Sequence, residues 1–176
     1  MHRNCPMYLW MLEFALLFMP PAFAHEQHAH VHGVAKLNIA VEGKNLTLSL
    51  ESPMENLLGF EHPPRKPEEK VALANLKQQL LQPSQLFALP AKAVCKSIAV
   101  HLDSPLWSTP AAQKSLSHAD LDAEFTYECT QPQSLTNLTV QIFERFPRLQ
   151  RMDVQIITIS VQHMMQLTPK KNQIKW

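Results

Sequence analysis

Strict alternation of apolar and polar residues gives the clearest predicted elements of the chain. Successive side chains of a strand point to opposite faces, so an apolar residue at every second position is typical of a half-buried strand. Residues 34–51 follow this rule on both sides of a polar turn at 42–45, and we predict a β-hairpin there. Its apolar stripe consists of Ala35, Leu37, Ile39 and Val41, followed by Leu46, Leu48 and Leu50.

The same alternation returns in the C-terminal third of the chain. Residues 121–129 and 138–142 alternate in this way, and residues 154–161 are apolar enough for a central strand. We expect residues 143–151 to form a short helical or irregular connection. A further strand is predicted near residues 94–102, between prolines.

One segment has the helical period instead. Pro67 stands where a first helical position is expected, two glutamates follow it, and Pro83 ends the run. We predict one amphipathic helix over about 67–82, packed on the sheet by its leucines. The apolar stripe consists of Leu73, Leu76 and Leu80. Because this helix is inserted in an otherwise β chain, the predicted fold class is α+β, a mostly antiparallel β-sheet with one inserted helix.

The first 24 residues have the pattern of a targeting segment. Arg3 precedes an apolar run at 7–18, and Ala22 and Ala24 form the A-x-A pattern that signal peptidase cuts. Glu13 interrupts the run, which is shorter than the roughly 20 residues of a spanning helix. We interpret residues 1–24 as a signal peptide and 25–176 as one exported domain with no membrane span; an uncleaved anchor is the alternative.

Composition narrows the expected functions. The 176 residues carry 16 Lys and Arg against 15 Asp and Glu, so the basic excess that neutralises nucleic-acid phosphates is missing. We expect no nucleic-acid partner. With three glycines and no G-x-S-x-G or H-E-x-x-H motif, neither a phosphate loop nor hydrolytic chemistry is indicated, and we expect a protein that is not an enzyme.

Two cysteines, Cys95 and Cys129, fall in the predicted mature domain. In an exported chain two cysteines most economically form one disulfide. Closing a loop of this size stabilises a fold by roughly 3 to 4 kcal/mol in the chain-entropy picture. A thiolate metal site or a redox centre is the alternative, although the C-x-x-C spacing is absent.

Histidines cluster at the start of the predicted mature domain. They are His25, His28, His30 and His32. Neutral imidazole suits Zn, Cu or Ni. In an extended segment the even-numbered histidines would share one face at about 6.6 Å spacing, opposite the apolar stripe, provided that Gly33 introduces no bulge. A solvated tail without function is the alternative reading.

Further candidate ligands stand beside prolines and in a polar loop. We expect residues 54–64 to be irregular. Within this stretch Glu61 and His62 precede Pro63 and Pro64, where they could complete or orient a metal site, or lie on the surface without a role. Mixed His and Asp residues bracket residues 101–122, which could bind a metal weakly or form a solvated loop. These residues are His101, Asp103, His118, Asp120 and Asp122.

Several blocks of the chain resemble one known family. Residues 30–64, HVHGVAKLNIAVEGKNLTLSLESPMENLLGFEHPP, resemble the opening of ZrgA-like proteins, zinc-regulated periplasmic proteins of Gram-negative bacteria. The similarity continues in the helix after Glu68, in HADLDAEFTYEC at 118–129 and in the ending QLTPKKNQIKW. Nearly the whole mature chain is covered.

The resemblance implies a non-catalytic periplasmic protein that assists zinc acquisition or buffers Zn²⁺. Its expected partner is the periplasmic substrate-binding protein of a zinc importer. Many members carry a long His- and Asp-rich tract, whereas residues 101–118 hold two histidines here, so we expect metal binding to shift to the N-terminal cluster. The candidate ligands are His25, His28, His30, His32, Glu61 and His62.

Two other functions remain open. Cleavage after Ala24 would expose His25 as the first residue, and an N-terminal histidine with a second imidazole forms the brace that binds Cu²⁺ in some proteins. Alternatively, the domain is a periplasmic interaction module whose histidines bind no metal.

Overall fold

The computed structural model describes residues 31–113 and 116–176. The predicted signal peptide and the candidate ligands His25, His28 and His30 lie outside these residues. The described strands and helices are β1 Val34–Glu42, β2 Asn45–Pro53, α1 Met54–Leu58, α2 Pro67–Leu80, β3 Phe87–Ala88, β4 Cys95–Asp103, α3 Pro110–Gln113, β5 Asp120–Cys129, β6 Asn137–Val140, α4 Ile142–Arg145, β7 Arg151–Ile157, β8 Gln162–Leu167 and β9 Gln173–Lys175.

A six-stranded sheet forms the body of the fold. Its strand order is β4-β5-β2-β1-β7-β8, and β3, β6 and β9 form a separate three-stranded sheet. The predicted hairpin is confirmed, since β1 and β2 pair antiparallel from Lys36 opposite Glu51 to Glu42 opposite Asn45. All neighbours in both sheets are antiparallel except β1 and β7, which run parallel. The predicted α+β class is therefore confirmed.

The core lies on one face of the large sheet. Apart from the partly buried Val41, the alternating apolar residues of β1, β2 and β5 are buried there, and so are the three leucines predicted for the inserted helix α2. Residues of the smaller sheet, such as Leu138 and Ile174, belong to the same buried cluster. The opposite face of β1, β2 and β5 carries their polar residues, so the large sheet is covered on one side.

Two local expectations were wrong. Residues 154–161 do not form a single strand: β7 ends at Ile157 and the chain turns before β8. The Thr158 hydroxyl accepts hydrogen bonds from the backbone N–H of Ser160 and Val161, at 3.2 and 2.9 Å, and so stabilises this turn. The second error concerns residues 54–58, expected to be irregular, which form the short helix α1.

The disulfide expectation is confirmed. Cys95 and Cys129 are bonded and lie opposite each other in the antiparallel pair β4–β5.

Within residues 31–113 and 116–176, no helix is long and apolar enough to cross a membrane.

Strand directions bring three loops to one end of the large sheet. Both β1 and β5 run antiparallel to β2, and β7 runs parallel to β1, so these three strands begin at the end where β2 stops. Helix α1 follows β2 at this end. The residues just before β1, just after α1 and just before β5 therefore become neighbours, although they are distant in sequence.

Candidate metal centre

The carboxylate of Glu61 lies between two imidazoles at this end of the sheet. Its Oε1 atom is 2.5 Å from Nδ1 of His118 and 3.5 Å from Nε2 of His32. His32 precedes β1, Glu61 follows α1, and His118 precedes β5. Three separate segments thus contribute one side chain each to a His–Glu–His cluster.

The three side chains of the cluster differ in how far they are buried. The Glu61 side chain is 13% exposed, whereas His32 and His118 are 58% and 63% exposed. The second oxygen of Glu61, Oε2, is buried and has no hydrogen-bond partner among the described residues. A buried carboxylate oxygen without a partner is costly unless a donor or a cation reaches it. Two imidazole nitrogens with a carboxylate oxygen are a donor set that suits Zn²⁺.

His32 is held on a turn. The N–H of Val34 donates to the carbonyl of Val31 at 3.1 Å, and Gly33 has a φ of +82°. This left-handed conformation favours glycine. The expected alternation therefore stops at Gly33. Because the turn interrupts the strand, the condition set for the strand-parity argument is not met, and that argument does not apply to His32.

Glu61 is positioned by the end of α1. Gly59 ends this helix in the left-handed conformation, with φ +82°, and its N–H donates to the carbonyl of Glu55 at 2.8 Å. The guanidinium of Arg148 lies against Gly59 and is 3.6 Å from the Glu55 carboxylate. The chain thus leaves α1 in a defined direction two residues before Glu61.

His118 is held beside the start of the same helix. The carbonyl of Ala119 accepts a hydrogen bond from the N–H of Met54 at 3.0 Å. One residue further on, Asp120 pairs with Pro53 in the sheet. These backbone contacts bring the loop before β5 against α1 and explain why His118 reaches Glu61.

His62 does not join the cluster in this structure. Its Nδ1 donates to the carbonyl of Pro63 at 2.9 Å, and its ring packs against Phe60 with the centroids 5.3 Å apart. Hydrogen bonds from the N–H groups of Arg65 and Lys66 hold the pKa of Glu69 below its ordinary value, and the charge of His62 acts in the same direction. The role of His62 as a metal ligand stays a prediction.

The two histidines of the loop at 101–122 have different surroundings in the fold. His118 contacts Glu61, whereas His101 lies within β4 opposite Glu124. Considering residues 31–113 and 116–176, no group of three or more His, Cys, Asp or Glu side chains is already arranged to hold a metal ion. Zinc binding at the cluster would therefore require the exposed imidazoles to turn. The sequence placed His118 in a candidate loop, but no sequence signal connected it to Glu61.

A comparison with protein families shows to which family the chain belongs. The model described as ZrgA family zinc uptake protein matches residues 29–176. This chain belongs to that family. No curated protein matches the chain. As a ZrgA family member the protein has a role connected with zinc uptake, and the matched region contains the whole His32–Glu61–His118 cluster and the disulfide.

Proposed function

We propose that this ZrgA family member is a non-catalytic periplasmic accessory protein that binds Zn²⁺ for acquisition or buffering. One observation carries the proposal: Glu61 Oε1 lies between nitrogens of His32 and His118, at 3.5 and 2.5 Å. These donors come from three separate segments, which the strand directions bring to the same end of the large sheet. The family description, zinc uptake protein, supports zinc as the metal.

The chemistry of the cluster suits a metal that is carried rather than retained. Zn²⁺ takes neutral imidazole nitrogen and carboxylate oxygen in tetrahedral sites. Glu61, the least exposed of the three side chains, defines the position of the site, while the two exposed rings can turn toward an incoming ion and release it again. His30 stands two residues before His32, a distance of at most about 7 Å along the chain, so the N-terminal histidine cluster can supply a further nitrogen.

The periplasmic location rests on the signal-peptide pattern of residues 1–24 and on the disulfide between Cys95 and Cys129. Disulfides persist in oxidising compartments such as the bacterial periplasm. Under this proposal the recipient of the zinc is the substrate-binding protein of a zinc importer, which shares that compartment.

The test is a chelator-competition titration of Zn²⁺ into the untagged mature protein and into His32→Ala, Glu61→Gln and His118→Ala. Removing one of three donors should weaken zinc binding at least 10-fold in each variant. His101→Ala is the matched control, since His101 is an exposed histidine of β4 that lies opposite Glu124, and this variant should bind zinc as the wild type does. Wild-type affinity in all three cluster variants would refute the site.

The copper alternative depends on His25, which lies outside the described residues, and no described contact favours it. Electron paramagnetic resonance after addition of Cu²⁺ distinguishes it. Extending the mature protein by one residue before His25 should change the spectrum if a histidine brace exists and leave it unchanged if His25 is not a ligand.

A further inference from the structure

Asn56 is a buried polar side chain that the proposed site does not yet explain. It lies on α1 and is 1% exposed. Its Oδ1 accepts a hydrogen bond from the N–H of Gly33 at 2.6 Å, and its Nδ2 donates to the carbonyl of Val34 at 2.8 Å and to the hydroxyl of Ser52 at 3.1 Å. Both donor hydrogens and one acceptor site of the amide are therefore used, as a buried amide requires.

Two of these bonds hold the backbone directly after His32. The N–H of Gly33 points to Asn56, while the carbonyl of Gly33 accepts from the N–H groups of Gln150 and Arg151, at 2.8 and 2.9 Å. The turn that carries His32 is thus held between α1 and the start of β7. Since Glu61 follows α1, the Asn56 amide connects the segment that carries His32 to the segment that carries Glu61.

The third candidate ligand is held independently. His118 is placed by the backbone bond between Ala119 and Met54, in which no Asn56 atom takes part. Loss of the Asn56 amide should therefore displace His32 from Glu61 and leave the His118–Glu61 contact in place.

We propose that Asn56 is a positioning residue of the zinc site, which sets zinc affinity by holding His32 beside Glu61 without binding the metal itself. This inference rests on the proposed function. It predicts that the effect of Asn56 on zinc passes through one ligand, His32, and not through the stability of the fold in general.

A double-mutant cycle tests this path, because coupling between two changes appears as a departure from additivity. Zinc Kd is measured for Asn56→Ala, for His32→Ala and for the double variant, and the Asn56 change is repeated in the His118→Ala background. We expect Asn56→Ala to weaken binding about 10-fold in the wild type and in the His118→Ala background, and to have no further effect once His32 is alanine. Equal weakening in all three backgrounds would indicate a general loosening of the fold and overturn the inference.

Ser52→Ala is the matched control. It removes one hydrogen bond of the same amide but leaves the bonds to Gly33 and Val34 intact. We expect a lower melting temperature and an unchanged zinc Kd. Weaker zinc binding in this variant would show that loss of stability alone lowers affinity, which contradicts the specific path through His32.

A second measurement covers the case in which Asn56→Ala does not fold. In the wild type, addition of Zn²⁺ should slow hydrogen exchange at the Gly33 amide, because a metal that requires the held turn suppresses its local opening. Unchanged exchange at Gly33 with zinc bound would overturn the inference. The two proposals fail separately: if His32→Ala and His118→Ala bind zinc normally, the site is wrong, and if both weaken binding while Asn56→Ala does not, the role of Asn56 alone is wrong.

Discussion

Gly59 shows how a single residue sets the geometry of the candidate site. Its φ of +82° is a left-handed conformation, and a Cβ at this position would lie 2.8 Å from Cζ of Arg148. Arginine is flexible and can move away, so the main cost of a larger residue is the backbone strain, about 1 to 2 kcal/mol. A larger residue would also change the direction in which the chain leaves α1 toward Glu61, and movement of Arg148 would not restore that direction.

We therefore expect Gly59→Ala to lower the free energy of unfolding by about 1 to 2 kcal/mol and also to weaken zinc binding. Gly43→Ala is the control, because Gly43 has φ +59° with no atom within 4 Å of the added Cβ and lies in the hairpin turn far from Glu61 in sequence. It should show a similar loss of stability by urea denaturation with zinc Kd unchanged. Equal zinc affinity in the two variants would contradict a role for the Gly59 turn in placing Glu61.

Protonation gives a second prediction for single residues. Imidazole must be neutral to bind Zn²⁺, so protons compete with the metal for histidine ligands in general. Zinc affinity should fall as the pH is lowered below roughly 6. The measurement is a chelator-competition titration from pH 7.5 to pH 5, and an affinity that does not change over this range argues against histidine ligands.

At the scale of elements, neighbouring strands place like charges side by side on the uncovered face of the sheet. Asp122 of β5 lies opposite Glu51 of β2 and opposite Asp103 of β4. Partial burial raises the pKa of Asp122 above its ordinary value, and the charges of Glu51 and Asp103 raise it further. The folded protein thus holds a proton on Asp122 more tightly than the unfolded chain does.

A raised pKa in the folded state means that the stabilising contribution is present in acid and is lost as the pH rises through the folded value. At neutral pH the ionised Asp122 therefore costs stability. Asp122→Asn should raise the free energy of unfolding by a few tenths to about 1 kcal/mol at pH 7 and have less effect below the ordinary value of 3.8.

Glu128→Gln provides the comparison for Asp122→Asn. Glu128 lies on the same strand but opposite Asn45 and Lys96, with no like charge beside it in the sheet. Urea denaturation at pH 7 should show no gain in stability for Glu128→Gln. An equal gain in the two variants would mean that net charge, rather than the Asp122 contacts, limits stability.

At the scale of the whole molecule, the disulfide ties the edge strand β4 to β5 and closes a loop between residues 34 positions apart. Such a constraint acts mainly on the unfolded chain. His118 lies inside the closed loop, but it is placed by the Ala119–Met54 bond and by the β2–β5 pairing, which do not require the disulfide.

Replacing Cys95 and Cys129 together by serine should therefore lower the free energy of unfolding by roughly 3 to 4 kcal/mol. Where the variant is folded, its zinc Kd should match that of the wild type. Urea denaturation and the chelator titration measure the two quantities. A loss of zinc affinity in the folded variant would show that the disulfide also positions His118.

Much of the fold was predictable because periodicity is a local property. The alternation in 34–51 and 121–129 predicted β1, β2 and β5, and the leucine spacing with Pro67 and Pro83 predicted α2. The disulfide followed from two cysteines in a predicted exported chain. The pattern could not separate β7 from β8, since the intervening turn depends on the Thr158 hydroxyl and not on polarity alone.

The sequence by itself determined β1, β2, β5 and the inserted helix α2, because periodicity depends on residue types at short spacing. It also indicated the family and named two members of the cluster, His32 and Glu61, as candidate ligands. Tertiary structure alone decided that His118 meets Glu61, that Asn56 holds the turn after His32, and that His62 faces elsewhere. The physical reason is the topology of the sheet. Periodicity reports which face of a segment is buried, whereas the common end of β1 and β5 arises only when both pair with β2.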